Sequence, residues 1–382
     1  MSTDADEIKA ITSAVRKFAE SELEPHALEW DKEKHFPTDV LRKAADLGLG
    51  AVWCGEDVGG SELSRLAGVH IFEQLARGDA SLAAYISIHN MVTSMIDTYG
   101  SPEQRERWVP ELASMETLGS YCLTEPGAGS DAAALSTRAT RTDDVYVLNG
   151  VKQFISGAGE SGVYVVMART GDKGARGITA FVVEKGTPGL SFGPNELKMG
   201  WNNQPTRQVI FEDVTVPEDQ RLGDEGQGFS IAMRGLNGGR MSIAACSLGG
   251  AQWALDKALD YLRSRNAFGK PLIEQQALQF RLADMQTNLR AARLLLHDAA
   301  AKLDTDGHTP AAAATCAMAK RFVTDTAFDV ANDALQLHGG YGYLHEYGIE
   351  KVVRDLRVHQ ILEGTNEIMR VVVSRALIDG VI

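Results

Sequence analysis

Val145-Tyr146-Val147-Leu148-Asn149-Gly150-Val151-Lys152-Gln153-Phe154-Ile155 stands in the middle of a chain whose two ends read as helix. Two β-rich runs flank an Asn-Gly pair in which both residues tolerate positive φ, the strongest local hairpin signal in the chain. Further β-rich runs at 163–168, 178–183 and 208–211 extend the pattern, so residues from about 116 to 217 read as a meander or barrel-like sheet. Toward the amino terminus, Ile8, Ile11, Val15 and Phe18 recur on one helical face, as do Val40, Leu41, Ala44 and Ala45 after Pro37. Toward the carboxyl terminus, Leu278, Leu282, Met285 and Leu289 form a stripe between Ala-rich segments. Strands grouped between helices, rather than alternating with them, predict an α+β chain and argue against a doubly wound parallel sheet. The expected division is helical over 1–115, β over 116–220 and helical over 221–382.

Composition narrows the function. A chain of 382 residues, 44% hydrophobic, can bury a core large enough for two or three domains. Its net charge of −13 and the absence of any Lys/Arg cluster argue against a nucleic-acid surface. Cys54, Cys122, Cys246 and Cys316 are too dispersed for a metal motif or a small disulfide framework, which points to a reducing compartment. The acidic stretch Met1 to Glu7 has neither an apolar signal core nor the Arg-rich character of a transit peptide, so the expected location is the cytosol. No apolar run approaches a membrane span.

Three segments carry chemistry. Gly157-Ala158-Gly159-Glu160-Ser161-Gly162 has GxGxxG spacing, but the strand-like Val163-Tyr164-Val165-Val166 follows where a dinucleotide fingerprint needs a helix, so it reads as a strand connection. Thr124-Glu125-Pro126-Gly127-Ala128-Gly129-Ser130-Asp131 is a glycine-rich loop whose amides and hydroxyls suit phosphate oxygens, although a surface turn has the same composition. In Ile361-Leu362-Glu363-Gly364-Thr365-Asn366-Glu367, an acid flanked by Ile361 and Leu362 is set to lose hydration, which raises its pKa and strengthens it as a base. Gly364 permits a sharp turn, and Thr365 is a natural N-cap for a helix over 366–377.

Taken together these segments resemble the acyl-CoA dehydrogenases, flavoenzymes that desaturate acyl-CoA thioesters between the α and β carbons. The likeness covers nearly the whole chain and implies an amino-terminal helical domain, a middle β-barrel-like domain and a carboxyl-terminal four-helix bundle. It implies FAD as cofactor, Glu363 as the base that takes the α-proton, and reduction of flavin N5. By the same likeness Tyr121, Leu123, Thr124, Gly129 and Ser130 would form the first flavin-binding signature. Phe154 and Ser156 would form the second, where tryptophan and threonine are more usual. Arg265, Phe268, Gln276, Gln336 and Gly340 resemble positions that meet the FAD of a neighbouring subunit, implying an obligate homo-oligomer, usually a tetramer. Thr365 and Glu367 would also bind the cofactor, Glu367 near the adenine end of FAD. Ser130, Asn237, Arg240, Leu362 and Gly364 would contact the acyl-CoA. One branch of the family places the base beside the arginine that Arg240 matches, but Gly238 and Gly239 stand there and neither can abstract a proton.

Within the family, Lys198-Met199-Gly200-Trp201-Asn202-Asn203-Gln204-Pro205-Thr206-Arg207 and Gly235-Leu236-Asn237-Gly238-Gly239-Arg240 look closest to the branch acting on isobutyryl-CoA in valine breakdown. The expected reaction is isobutyryl-CoA to methacrylyl-CoA, with an electron-transferring flavoprotein as acceptor. Another short or 2-methyl-branched acyl-CoA, an oxidase that passes electrons to oxygen, and a non-catalytic flavoprotein of the same fold are the alternatives. His338, Arg354, Asp355 and Arg357 read as scaffold.

Overall fold

The computed structural model describes residues 5–382, so the acidic stretch from Met1 to Glu7 lies partly outside the described residues. Six helices come first: α1 (Ala5–Phe18), α2 (Ala27–Glu33), α3 (Thr38–Ala45), α4 (Arg65–Gly78), α5 (Ala80–Tyr99) and α6 (Pro102–Ala113). Eight strands follow: β1 (Gly119–Cys122), β2 (Arg138–Thr142), β3 (Val145–Ser156), β4 (Val163–Arg169), β5 (Ile178–Glu184), β6 (Leu190–Phe192), β7 (Thr206–Pro217) and β8 (Arg221–Leu222). Five helices close the chain: α7 (Gly228–Ser264), α8 (Gln276–Asp306), α9 (Pro310–Leu337), α10 (Ile349–His359) and α11 (Asn366–Ile378). The order helices, strands, helices is the α+β arrangement expected.

The sheet runs β6-β7-β3-β2-β4-β5-β8, with β1 added parallel to β4. Alternation along its central strands gives it two buried faces. Val163, Val165, Met167, Ile178, Ala180 and Val182 pack toward α5, α6 and the start of α7, while Tyr164, Val166, Ala168, Phe181 and Val183 fill the opposite face with Tyr146 and Phe211. The third core joins α1 and α4 to α7, α8 and α9, so the two helical stretches share one apolar interior.

The Asn149-Gly150 pair is not a hairpin. β3 runs straight through it for 12 residues, and the pairing with β7 shifts register between Leu148 and Gly150. Asn149 exchanges side-chain bonds with Asp213 opposite (Nδ2 to Oδ1 3.0 Å; Asp213 N–H to Oδ1 2.9 Å), and a Cβ at Gly150 would strike Thr137 Oγ1 at 2.5 Å. The conformational freedom that suits a tight turn here serves a β-bulge. The two-residue hairpin is Asp143-Asp144, between β2 and β3, with Asp143 at φ +53°. Gly157 to Gly162 connects β3 to β4, as the strand after it required.

Loop 193–205 fastens the sheet to the helices. Asn202 donates to Asp31 (3.0 Å), Asn203 to Asp79 (2.8 Å), Gln204 to the Ser81 carbonyl (2.9 Å), and the Trp201 N–H to Asp355 (2.6 Å). Lys351 bridges Asp79 and Asp355 at 3.0 and 2.7 Å in a buried cluster. Arg354 pairs with Asp31 and Glu350, and Arg357 with Gln360, which is scaffolding. His338 hydrogen-bonds the Ala334 carbonyl (2.8 Å) and stacks on Tyr261.

Candidate active site

The turn between α10 and α11 carries Glu363. Amides of Ile361 and Leu362 both close on the Val358 carbonyl, and Thr365 Oγ1 accepts from the Ile368 amide (3.3 Å) to cap α11. Between them Glu363 and Gly364 sit at φ +54° and +93°. A left-handed non-glycine residue costs free energy and persists where its surroundings over-determine it. Here the Glu363 carbonyl accepts from Arg240 Nε (3.2 Å) and the Gly364 carbonyl from Lys320 Nζ (2.9 Å). The strained turn is thus clamped by one cation from α7 and another from α9.

The carboxylate itself is turned onto α7. A Cβ built on Gly239 would meet Glu363 Oε2 at 2.5 Å, so the glycine is the floor on which the acid lies. Although the residue as a whole is half-buried, Oε2 is sealed from solvent and has no hydrogen-bond partner among the described residues. Burial pushes the Glu363 pKa up to about 7, with the Lys320 and then the Arg240 charges pulling against it. The dehydrating surface differs from the one expected, because Ile361 is 50% exposed; only Leu362 packs on the core, and α7 supplies the rest. Gly239→Ala is expected to fold and to lower kcat by about ten- to a hundredfold, because a flexible carboxylate yields to the new methyl and leaves its reactive position. Flavin content and turnover measured on one preparation check this, and unchanged kcat refutes it.

Two groups escaped the sequence reading. Lys320 is 0% exposed, and its ammonium contacts the Gly364 carbonyl and Asn366 Oδ1, each at 2.9 Å, with no carboxylate in contact among the described residues. It lies on the buried stripe Cys316, Val323 and Ala327 of α9, which is the signal that marks it. Asn366 donates to Thr324 and Asp325, so α9 fixes the first residue of α11. Asn237 and Arg240, both buried, face one another at 2.7 Å on α7.

The two glycine- and serine-bearing signatures converge. The Gln153 amide donates to the Thr124 carbonyl (2.8 Å) and Ser120 Oγ to the Ser156 carbonyl (2.6 Å), which brings β1 and the loop after it beside the end of β3. Glu125 anchors the loop from beneath, accepting from Lys152 Nζ (2.8 Å), the Ser136 amide and hydroxyl, and the Thr137 amide. Burial would raise its pKa, but Lys152 and these donors hold it at about 2. Above this anchor the loop is open: Gly127 and Gly129 would leave a Cβ without a neighbour within 4 Å, and Ser130 is exposed. Phe154 is held at φ +59° and is 64% exposed, and the Tyr121 hydroxyl is buried without a partner among the described residues, pushed up by burial and in part by the Glu363 charge. An exposed aromatic ring and an open glycine-rich loop on converging segments, with an orphaned phenol within the field of Glu363, suit a flat, hydrogen-bonding, phosphate-bearing cofactor.

Arg265, Gln336 and Gly340 meet elsewhere, lining a cavity of about 400 Å³ with Tyr261, His338 and Tyr341. Arg265 lies over the Tyr341 ring (5.3 Å), Phe268 is 93% exposed at φ +53°, and Gln276 opens α8 at the surface. Arg265 lies roughly 37 Å beyond Arg240 along the same helix, at about 1.5 Å per residue, so these groups do not reach Glu363 of their own chain. Glu367 is exposed on the first turn of α11, where the helix N-terminus lowers its pKa.

Family models for the acyl-CoA dehydrogenase N-terminal, middle and C-terminal domains match residues 5–116, 120–214 and 226–378. The chain belongs to the acyl-CoA dehydrogenase family. It is 56% identical over 374 residues to the mitochondrial isobutyryl-CoA dehydrogenase of Bos taurus, covering 98% of this chain and 89% of that one. Against the Dictyostelium discoideum enzyme of that name it is 55% identical over 370 residues, covering 97% and 88%. Among solved structures, the butyryl-CoA dehydrogenase of Megasphaera elsdenii superposes with a TM-score of 0.94 at 38% identity, covering 99% of this chain and 100% of that one.

Proposed function

We propose that this acyl-CoA dehydrogenase converts isobutyryl-CoA to methacrylyl-CoA, with Glu363 removing the α-proton. The observation that carries the chemistry is the buried, unpartnered Oε2 of Glu363 over Gly239, in a carboxyl group raised to about 7. The substrate rests on the two isobutyryl-CoA dehydrogenase relatives at 56% and 55% identity. FAD, when bound, supplies the two-electron acceptor for the β-hydrogen.

The chain's own groups do the remainder. The Thr124 to Asp131 loop and Ser156 would hold FAD, and the exposed Phe154 ring would cover the flavin. Glu363 accepts the α-proton as negative charge moves to the thioester oxygen, and the Glu363 backbone N–H is a donor for that oxygen. Asn237 and Arg240 hold the CoA portion near the thioester. Arg265, Phe268, Gln276, Gln336 and Gly340 serve a neighbouring subunit's cofactor, which makes the working unit an oligomer, in this reading a tetramer. An electron-transferring flavoprotein takes the electrons. No described helix is long and apolar enough to cross a membrane. The four free, buried cysteines support a reducing compartment, here the cytosol, whereas both relatives are mitochondrial by name.

Anaerobic mixing of the yellow protein with isobutyryl-CoA is expected to bleach the flavin band rapidly. Steady-state kcat/KM is expected to fall in the order isobutyryl-, 2-methylbutyryl-, butyryl-CoA; a clear preference for butyryl-CoA overturns the substrate while leaving the family standing. Trp201, Asn202 and Gln204, from the run that resembles the isobutyryl branch, hydrogen-bond residues of the helical layer.

A further inference from the structure

Gly157, the first glycine of the GxGxxG run, marks the point where α5, β1 and the connection between β3 and β4 meet. A Cβ there would strike Ser161 Oγ at 2.6 Å, Tyr85 Cε2 at 2.7 Å and Ser120 Oγ at 2.8 Å, and its φ of +78° already favours glycine. The bare backbone leaves room for three hydroxyls. Tyr85 comes from α5, Ser120 from β1 and Ser161 from the connection, and all three residues are 0% exposed.

Their partners fix the direction in which each proton points. Ser120 Oγ lies 2.6 Å from the Ser156 carbonyl, which can only accept, so the one Ser120 proton is directed there. Ser120 and Ser161 Oγ are 2.8 Å apart, and Ser161 is therefore the donor of that pair. The Tyr85 hydroxyl, 3.2 Å from Ser161 Oγ, donates in turn to Ser161, with the Gly119 carbonyl more distant at 3.5 Å. Burial pushes the Tyr85 phenol above its ordinary range, so its proton stays in place. The result is one directed chain, from Tyr85 through Ser161 and Ser120 to the Ser156 carbonyl, in which each bond polarises the next.

The chain ends on a peptide held from both sides. Ser120 donates to its carbonyl, and its amide, that of Gly157, donates to the Pro205 carbonyl (2.9 Å). The Ser156 side chain is left free: it is half-buried, two positions from the exposed Phe154, and its hydroxyl has no hydrogen-bond partner among the described residues. We propose that Tyr85, Ser161 and Ser120 are positioning residues that aim the Ser156 hydroxyl at the cofactor by fixing its backbone, a role that rests on the reading above in which Ser156 meets FAD. Gly157 is then a glycine because the chain of hydroxyls occupies the space of its side chain.

The test uses the FAD-loaded oligomer of Tyr85→Phe, Ser161→Ala and Ser120→Ala, each made alone and combined with Ser156→Ala. Three quantities are read: the visible flavin band of the resting protein, FAD affinity from the fluorescence of cofactor released on dilution, and the melting temperature. Tyr85→Phe keeps its ring edge-on to Phe36 (4.8 Å between centroids), so it tests the hydroxyl with the fold intact. Effects are expected to grow toward Ser156, with FAD affinity falling about two- to threefold in Tyr85→Phe and about tenfold in Ser120→Ala, whose flavin band also shifts. Combined with Ser156→Ala, the three substitutions should cost no further affinity and shift the band no further, because the hydroxyl they aim is gone. Substitutions that lower only the melting temperature, or that keep their full effect on band and affinity without the Ser156 hydroxyl, overturn the proposal while leaving Ser156 at the cofactor. A Ser156→Ala protein with unchanged band and affinity overturns the placement of Ser156 itself, and the positioning role with it.

Discussion

Glu363→Gln is expected to keep its FAD and to slow flavin reduction by isobutyryl-CoA, the proposed substrate, about a thousandfold, the scale of a positioned base removed. The amide keeps the volume, so the turn clamped by Arg240 and Lys320 stays in place. The cost to folding is that of burying an amide group where Oε2 has no partner, about 1–3 kcal/mol. Stopped-flow bleaching of the flavin band separates this from cofactor loss, which would lower the starting absorbance instead. The pH profile gives a second readout. With Glu363 raised to about 7, kcat/KM in the unsubstituted enzyme falls as pH drops below about 7, because the base must be ionised in the free enzyme. The residual rate of the glutamine variant has no such limb. Reduction at an unchanged rate would demand another base, and Gly238 and Gly239 beside Arg240 supply none.

What could be read from the chain divides by range. Thr365 as an N-cap, the helix from Asn366 and the exclusion of a dinucleotide site at Gly157 are local, decided by residues within a turn or a strand of one another. The layer order was equally legible, since periods of 3.6 and 2 are written along each segment. Asn149-Gly150 shows where local reading stops: its tolerance of positive φ was visible, but whether that makes a turn or a bulge depends on β7, which pairs from more than fifty positions away. The site shows the same boundary. Glu363 could be singled out beside its apolar neighbours, yet its burial comes from Gly239 on a helix over a hundred residues earlier. Lys320 was invisible as a functional group because nothing near it in sequence states that Gly364 and Asn366 will receive its ammonium.

Lys320→Met is expected to lower kcat/KM by up to about a hundredfold and to move its acidic limb above pH 7. The two effects have separate causes. Methionine matches the lysine in length but leaves the Gly364 carbonyl and Asn366 Oδ1 without their donor, so the turn that aims Glu363 loosens. It also removes the largest charge opposing dehydration of the carboxylate; Arg240 from α7 is the remaining cation, and Tyr121, Cys246 and Cys316 near these groups are neutral at pH 7. The sign follows directly. Losing a cation disfavours the ionised acid, the Glu363 pKa rises, and a larger share of enzyme holds a protonated base at pH 7. Lys320 itself, lowered by burial to about 8, is still mostly charged at that pH, so the charge is present where it acts. Lys320→Gln divides the causes, because its amide can still donate to the Gly364 carbonyl but carries no charge. It should recover part of kcat while keeping the displaced limb. If both variants lose activity with the limb still at about pH 7, Lys320 only braces the turn, and the electrostatic part of this account fails.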